Sequence, residues 1–183
     1  MDEKLVVDEK LIMDEKFTVG LIVSNHFGVL NRVAGLYAKR GYNIDSLAVG
    51  ETENPRFSRM SIVSTGDDYM KEQVVRQLAK LHDVVSVTLF DSGNMVAVEH
   101  MLIKMNAAGG SKADISALIN SHGGKVMDFG ESFITAEITG KSERIDRFIE
   151  KARPLGILEV CRSGQISMSQ GTADMLTVEQ SGQ

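Results

Sequence analysis

The residues best suited to bind a ligand form the short segment Asn25-His26-Phe27-Gly28, between a β-rich apolar run and an amphipathic helical stripe. The amide of Asn25 can both donate and accept hydrogen bonds, and Gly28 lets a ligand approach the backbone closely. A helix that begins after Gly28 directs free N–H groups and the positive end of its dipole to the same point. The segment therefore predicts a site for a carboxylate or phosphate, although it also fits an ordinary helix start after a turn glycine.

Residues that could perform catalysis are dispersed along the chain. The four histidines, His26, His82, His100 and His122, lack the spacing or the cysteine partners of a metal site. No Gly-x-Ser-x-Gly segment is present. The single cysteine, Cys161, falls on a predicted strand, where packing is its ordinary role. We therefore expect neither a catalytic nor a metal site in this chain.

Composition narrows the class of protein and of partner. The 183 residues are 43% hydrophobic and 25% charged, which suits an ordinary soluble protein with a core of its own. No apolar run approaches the ~18 residues of a membrane span, and the acidic start is unlike a signal peptide. A single cysteine indicates a reducing, cytoplasmic setting. The net charge of −5 disfavours nucleic acid, so we expect a cytoplasmic protein that binds neither nucleic acid nor membrane.

The apolar periodicity predicts the same order of elements twice, βαββαβ in each half. In the first half it predicts strands over residues 17–24, 44–51, 57–65 and 84–90, and helices over residues 29–40 and 68–80. On the third strand Met60 and Ile62 face one side, and on the fourth Val85, Val87 and Leu89 do so. In the second half it predicts strands over residues 96–105, 125–129, 132–139 and 157–162, and helices over residues 111–122 and 142–152.

This order predicts an α+β protein with two ferredoxin-like modules, each an antiparallel sheet with helices on one face. We expect a first domain over residues 17–90, a second over residues 95–170, and tails over residues 1–16 and 171–183. The other face of each sheet would expose aliphatic side chains to water. A second copy would cover them, so we expect an oligomer, most simply a homodimer.

Four segments together carry a family resemblance. They are Asn25-His26-Phe27-Gly28-Val29-Leu30-Asn31-Arg32-Val33, Arg40-Gly41-Tyr42-Asn43-Ile44, Ser58-Arg59-Met60 and Arg162-Ser163-Gly164. In this order they closely resemble the regulatory (small) subunit of acetolactate synthase, also called acetohydroxyacid synthase. The resemblance extends from about residue 17 to residue 171 and does not include the repeated Asp-Glu-Lys segments before it.

The resemblance implies that the first module is an ACT domain, a small-molecule sensor that pairs side by side with a second copy. It implies a large catalytic partner subunit that carries thiamine diphosphate, Mg²⁺ and FAD, whereas this chain binds no cofactor. It also implies that the chain activates that partner and confers feedback inhibition by valine or a related branched-chain amino acid. The second module would contribute to contacts between copies and with the catalytic subunit.

The resemblance also assigns effector-binding positions. Asn25 and Gly28 fall on the positions that contact the effector, and His26 and Phe27 occupy variable positions between them. Asn43 and Ile44 fall on the segment that faces the effector from the neighbouring copy. A free amino acid needs donors for its carboxylate, acceptors for its ammonium group and a small apolar pocket. The start of the first helix, the Asn25 amide and nearby aliphatic side chains would supply these; the aliphatic side chains are Val29, Leu30 and Ile44.

Two other classes of function remain open from the residues. The first alternative is a stand-alone ACT sensor that acts on another enzyme or on transcription. RNA-binding and acylphosphatase-like proteins also use βαββαβ modules. RNA binding calls for paired aromatic residues on the third strand, where this chain has only Phe57. The phosphatase interpretation lacks a credible site for an anion and a water molecule.

Overall fold

The first module is a four-stranded antiparallel sheet with two helices on one face. The computed structural model describes residues 15–108 and 111–171. The elements of this module are β1 (Glu15–Ser24), α1 (Val29–Arg40), β2 (Ser46–Glu51), β3 (Phe57–Gly66), α2 (Asp68–Leu78) and β4 (Val84–Phe90). The strands lie in the order β2-β3-β1-β4, which leaves β2 and β4 at the edges. We call this sheet the first sheet.

The second module repeats that architecture. Its elements are β5 (Met95–Asn106), α3 (Lys112–Ser121), β6 (Lys125–Phe129), β7 (Phe133–Gly140), α4 (Ser142–Ala152), a 3₁₀ turn (Arg153–Leu155) and β8 (Ile157–Ser169). The strands lie in the order β6-β7-β5-β8, and we call them the second sheet. The predicted α+β class with two ferredoxin-like modules is confirmed.

Each module has its own core between the helices and the sheet. In the first, α1 buries Val33 and Tyr37 against Met60 and Ile62 of β3, as the alternation on that strand predicts. In the second, α4 buries Ile145, Phe148 and Ala152 against β5 and β7. Helix ends follow the expected chemistry: Gly41 ends α1 with φ +71°, and the Asp67 side chain accepts a 2.7 Å hydrogen bond from the Met70 N–H at the start of α2.

The prediction for β4 is wrong at Val85. A register shift opposite Ile22 and Val23 of β1 leaves Val85 without a partner in the ladder, because Ile22 faces Ser86 and Val23 faces Val84. This β-bulge turns Val85 to the face opposite the helices, where it packs near Phe90. Val84 takes its place against the helix-side core, together with Val87.

The last strand is longer than predicted and belongs to both modules. β8 continues past Arg162 to Ser169 because Gly164, at φ +76°, forms part of an irregularity rather than the strand's end. Glu99 pairs with Gln165 but Met101 pairs with Arg162, so β8 has one extra residue at this point. Beyond the bend, residues 95–99 and 165–169 form a two-stranded arm, which we call the ribbon.

The ribbon packs on the helix-free face of the first sheet. The Gln165 N–H donates to Ser46 Oγ at 2.9 Å, and the Ser167 N–H donates to Ser61 Oγ at 3.1 Å. The Gln165 side chain donates to Thr18 Oγ1 at 2.9 Å. Backbone donors at the outer edge of β8 are thereby satisfied by hydroxyl groups of the first sheet.

The expectation of two exposed aliphatic sheet faces is therefore wrong. On the first sheet the ribbon covers Ile22 and Phe90, against which Met95 packs, and its N–H groups bond to the hydroxyl groups of Ser46 and Ser61. The helix-free face of the second sheet carries Thr135 and Glu137 of β7 and an ion pair between Lys104 and Glu159, whose nearest N and O atoms are 3.6 Å apart. The first face is thus covered within the chain, and the second is largely polar, with Leu102 exposed on it.

Several predictions fall on residues that the structure does not describe. The tail predictions concern mainly residues 1–14 and 172–183, which lie outside the described residues, as do Gly109 and Gly110. Among the described residues, no helix has the length and apolar character needed to cross a membrane.

Candidate functional site

The start of α1 offers backbone donors to a ligand. Gly28 precedes the helix with φ +88°, a conformation that suits glycine, and a Cβ at this position would meet nothing within 4 Å. Among the described residues, no side chain caps α1, and its first turn contains no acidic residue. The N–H groups of the first turn and the positive end of the dipole thus point to an open approach, which suits an anion.

The Asn25 amide is oriented by the loop between β2 and β3. Its Nδ2 group donates to Glu51 Oε2 at 3.1 Å and to the Pro55 carbonyl at 2.9 Å. Both amide hydrogens are therefore used within the chain, and Oδ1 remains to accept. The sequence left the donor and acceptor roles open, whereas this geometry suits a cationic group such as an ammonium.

His26 attaches the loop between β1 and α1 to Asp83. Its Nε2 atom lies 2.9 Å from Asp83 Oδ1, and Asp83 Oδ2 lies 2.5 Å from Arg32 Nε. Burial raises the pKa of the Asp83 carboxyl, but the charge of Arg32 and the hydrogen bonds from His26 and Arg32 outweigh it and hold that pKa below its usual range. The contacts of Asp83 with His26 and Arg32 hold the start of α1 on the loop before β4.

The apolar candidates separate into exposed and buried side chains. Phe27 is fully exposed and Leu30 is 44% exposed, so both can contact a ligand or a partner. Val29 is 3% exposed and packs in the first core. Only its backbone N–H can face a ligand, which removes its side chain from the predicted apolar pocket.

Asn43 and Ile44 lie at the other end of α1. A helix of 12 residues is ~18 Å long, so one chain does not bring these residues to Asn25. Asn43 Nδ2 donates to Asp45 Oδ1 at 2.5 Å, and Ile44 is packed against the first core. The two predicted halves of the site are separate within a single protomer.

The edge strand β2 connects these two halves. Its last residue, Glu51, accepts the hydrogen bond from Asn25, and its first residue, Ser46, follows the Asn43–Ile44 segment within two residues. Each half therefore lies beside one end of the same exposed strand edge.

Comparison with known proteins gives the family. Residues 19–86 match the AHAS small subunit-like ACT domain, and residues 98–171 match the family described as the small subunit of acetolactate synthase. The chain belongs to the acetolactate synthase small-subunit family. It is 39% identical over 158 residues to a probable acetolactate synthase small subunit of Methanothermobacter thermautotrophicus, which spans 86% of this chain and 94% of the relative.

Two further relatives agree with this family. The small subunit of acetolactate synthase isozyme 3 from Escherichia coli is 37% identical over 154 residues, or 84% of this chain and 94% of that protein. The crystal structure of the acetolactate synthase small subunit from Thermotoga maritima matches with a TM-score of 0.81 at 35% identity, over 87% of this chain and 99% of that one. The identity and the shared fold together extend over both modules.

In this family member the histidines serve separate local roles. His100 Nδ1 lies 2.9 Å from Thr139 Oγ1, and the His122 ring packs edge-on against Phe148 with centroids 5.2 Å apart. Among residues 15–108 and 111–171, no group of three or more His, Cys, Asp or Glu side chains is arranged to hold a metal ion.

The small-subunit fold also contains a buried charged group that sequence reasoning missed. Glu99, 5% exposed, accepts from Arg162 Nε at 2.6 Å and Nη2 at 2.7 Å, and from Ser142 Oγ at 2.9 Å. Arg162 Nη1 also donates to Asp146 at 2.7 Å. Burial raises the pKa of Glu99, but these hydrogen bonds and the Arg162 charge keep it below its usual range. The group lines a cleft of about 590 Å³ between the modules, where the ribbon bends.

Proposed function

We propose that this chain is a regulatory subunit that binds valine, or a related branched-chain amino acid, between two copies of its first module. Binding there changes the activity of a large acetolactate synthase subunit. Membership of the small-subunit family supports the regulatory role. The proposal adds three points to this role: which effector binds, that two copies pair, and whether binding raises or lowers the activity of the large subunit.

The observation that carries the proposal is the position of the two site halves at opposite ends of β2. When two copies of an edge strand pair antiparallel about a two-fold axis, the last residue of one strand lies beside the first residue of the other. The Asn25 loop beside Glu51 would then meet the Asn43–Ile44 segment of the second copy. Pairing β2 with β2 thus completes a site that one protomer holds in two parts.

The completed site has complementary chemistry for a free amino acid. The ligand carboxylate is held by the N–H groups at the start of α1, and its ammonium group by Asn25 Oδ1 with the Glu51 carboxylate nearby. Leu30 and Phe27 of one copy and Ile44 of the other provide apolar contact. Because both copies contribute, the effector favours one arrangement of the pair, and such couplings are typically ~1–3 kcal/mol.

In this proposal the large partner subunit catalyses the reaction. The large subunit holds thiamine diphosphate, Mg²⁺ and FAD, and this chain raises its activity and makes it sensitive to valine. The complex is cytoplasmic, which agrees with the exposed free thiol of Cys161. A stand-alone ACT sensor of another enzyme or of transcription is the alternative.

The binding site is tested with Asn25→Ala. Loss of a hydrogen bond to a charged group costs ~1.5–3 kcal/mol, so we expect valine affinity to fall about ten- to a hundredfold in calorimetric titration. Asn120→Ala, an exposed amide on α3, is the control and should bind as the wild type does. Equal affinity of Asn25→Ala and wild type, with both folded by circular dichroism, removes Asn25 from the site.

The partner is tested by mixing the chain with the acetolactate synthase large subunit of the same organism. We expect acetolactate formation to rise on addition of this chain and to fall when valine is then added. A chain that binds valine but neither associates with the large subunit nor changes its rate supports the stand-alone sensor instead.

A further inference from the structure

His26 lies between Asn25 and Gly28 in the loop that precedes α1, and both of its ring nitrogens contact acceptors. Its Nε2 atom lies 2.9 Å from Asp83 Oδ1, and its Nδ1 atom lies 3.1 Å from the carbonyl oxygen of Phe27. A carbonyl oxygen can only accept a hydrogen bond, and so can an ionised carboxylate. Both ring nitrogens must therefore donate if both contacts are to be hydrogen bonds.

Only a protonated histidine carries a hydrogen on both ring nitrogens. The neutral ring has one N–H group and one lone pair, so one contact of His26 would then place a lone pair against an acceptor. Burial raises the pKa of the Asp83 carboxyl, but Arg32 and His26 hold it below its usual range, so this partner remains an ionised acceptor. The geometry thus fits the charged form of His26 better than either neutral tautomer.

The charged and titratable groups around this loop come from three segments. They are Asp83 and His82 before β4, Arg32 on α1, and Glu51 and Arg56 of the β2–β3 connection. The charges of Asp83 and Arg32 cancel, so protonation of His26 gives the three groups together one net positive charge. That charge lies near the start of α1, where the helix dipole also favours a carboxylate.

The contact with Phe27 also orients the peptide bond that leads into α1. No cis peptide bond occurs among the described residues, and the carbonyl and N–H groups of a trans peptide point in opposite directions. Holding the Phe27 carbonyl against the His26 ring therefore directs the Gly28 N–H away from the ring. A Cβ at Gly28 would meet nothing within 4 Å, so a ligand can approach the backbone here.

We propose that His26 is a positioning residue of the effector site and acts in its protonated form, so that effector binding weakens as the pH rises above neutral. This inference rests on the proposed function for the identity of the ligand, but not on the pairing of copies. Histidine ordinarily changes charge between about pH 5 and 8. When His26 loses its proton, it loses one of its two hydrogen bonds, and the Phe27–Gly28 peptide is held less firmly.

The first test measures the affinity of the full chain for valine by calorimetric titration at about pH 5.5 and about pH 8. For the wild type we expect the dissociation constant to be about three- to tenfold higher at the upper pH, which is the effect of one hydrogen bond. His26→Gln keeps one donor but does not titrate, so its dissociation constant should change less than about twofold. His82→Gln, at an exposed histidine beside Asp83, is the control and should behave as the wild type does.

The second test needs no ligand and measures urea unfolding of the same three proteins at the same two pH values. Because two acceptors hold the charged ring in the folded chain, the stabilising contribution of His26 is present at the lower pH and is lost as the pH rises. We expect the unfolding equilibrium constant of the wild type to increase about three- to tenfold more between the two pH values than that of His26→Gln. His82→Gln should follow the wild type.

The two tests separate this inference from the proposed function. If valine binds the wild type and His26→Gln with the same dependence on pH, this inference is wrong and the proposed function stands. If valine binds at neither pH but the difference in unfolding is found, the proposed effector is wrong and the positioning of the loop by charged His26 is supported. If the unfolding of the wild type and of His26→Gln depends equally on pH, this inference is wrong whatever the valine titration gives.

Discussion

The two modules share one order of elements but complete the helix-free faces of their sheets differently. In the first, the ribbon of the second module covers the face, and the hydroxyl groups of Ser46 and Ser61 accept its backbone donors. In the second, Thr135, Glu137, Lys104 and Glu159 make the face polar without a covering strand. The same fold thus yields one helix-free face that is covered by the other module and one that has no covering strand.

The difference shows where the contact between the modules is stabilised. The bend at residues 162–164 directs β8 from the second sheet onto the first, and the buried pair of Glu99 with Arg162 lies at that bend. Changes at the bend should therefore affect the stability of the chain much more than chemically similar changes elsewhere.

The largest effect is expected for Arg162→Met. Removing one member of a buried ion pair leaves an uncompensated charge and costs ~3–5 kcal/mol; since Arg162 is partly exposed, we expect about 2–4 kcal/mol less stability in urea unfolding. Arg153→Met, which breaks the exposed pair of Arg153 with Glu150, should cost less than about 1 kcal/mol. Similar losses for the two variants would contradict a special role for the bend.

A somewhat smaller effect is expected for Gly164→Ala. The residue has φ +76°, and a Cβ there would lie 2.8 Å from Ser46 Oγ and 3.1 Å from the Leu47 carbonyl oxygen. Left-handed strain and the close contact together should cost about 2–3 kcal/mol. Gly171→Ala is the matched control, because Gly171 has φ +72° but open space around it, and it should cost about 1 kcal/mol. Equal melting temperatures for the two variants would argue against tight packing of the bend.

The smallest changes in stability are expected when one hydroxyl group is removed from each helix-free face. Ser61→Ala removes the acceptor of the buried Ser167 N–H and should destabilise the chain by about 1–2 kcal/mol. Thr135 Oγ1 is buried without a hydrogen-bond partner among the described residues, so Thr135→Val should be neutral within about 0.5 kcal/mol or stabilising. Chemical denaturation of both variants measures the difference, and a larger loss for Thr135→Val would reverse the comparison.

Local patterns predicted most of the fold. The bounds of α1, α4, β4 and β6 follow from apolar periodicity and from glycines at turns, because these signals lie within a few residues of one another. β8 could not be bounded in this way. Gly164 has the form of a strand end, and Ile166 and Met168 beyond it face solvent rather than a core.

The candidate site was predictable only in part. The uncapped start of α1 after Gly28 follows from the sequence, and so does the presence of an amide at Asn25. The contacts that orient these residues join distant positions: Asn25 with Glu51, and His26 with Asp83. Partners 26 and 57 residues apart are brought together by the register of the sheet, which apolar periodicity does not specify.

The crossing of β8 onto the first sheet has a consequence for biosynthesis. The first module receives its covering strand from residues 165–169, long after its own β4 ends at Phe90. Translation at ~5–20 residues per second needs roughly 4–16 s for the intervening stretch. During that interval the nascent first module has Ile22 and Phe90 uncovered, so a chaperone that shields this face on the ribosome would protect every newly made copy until the last strand emerges.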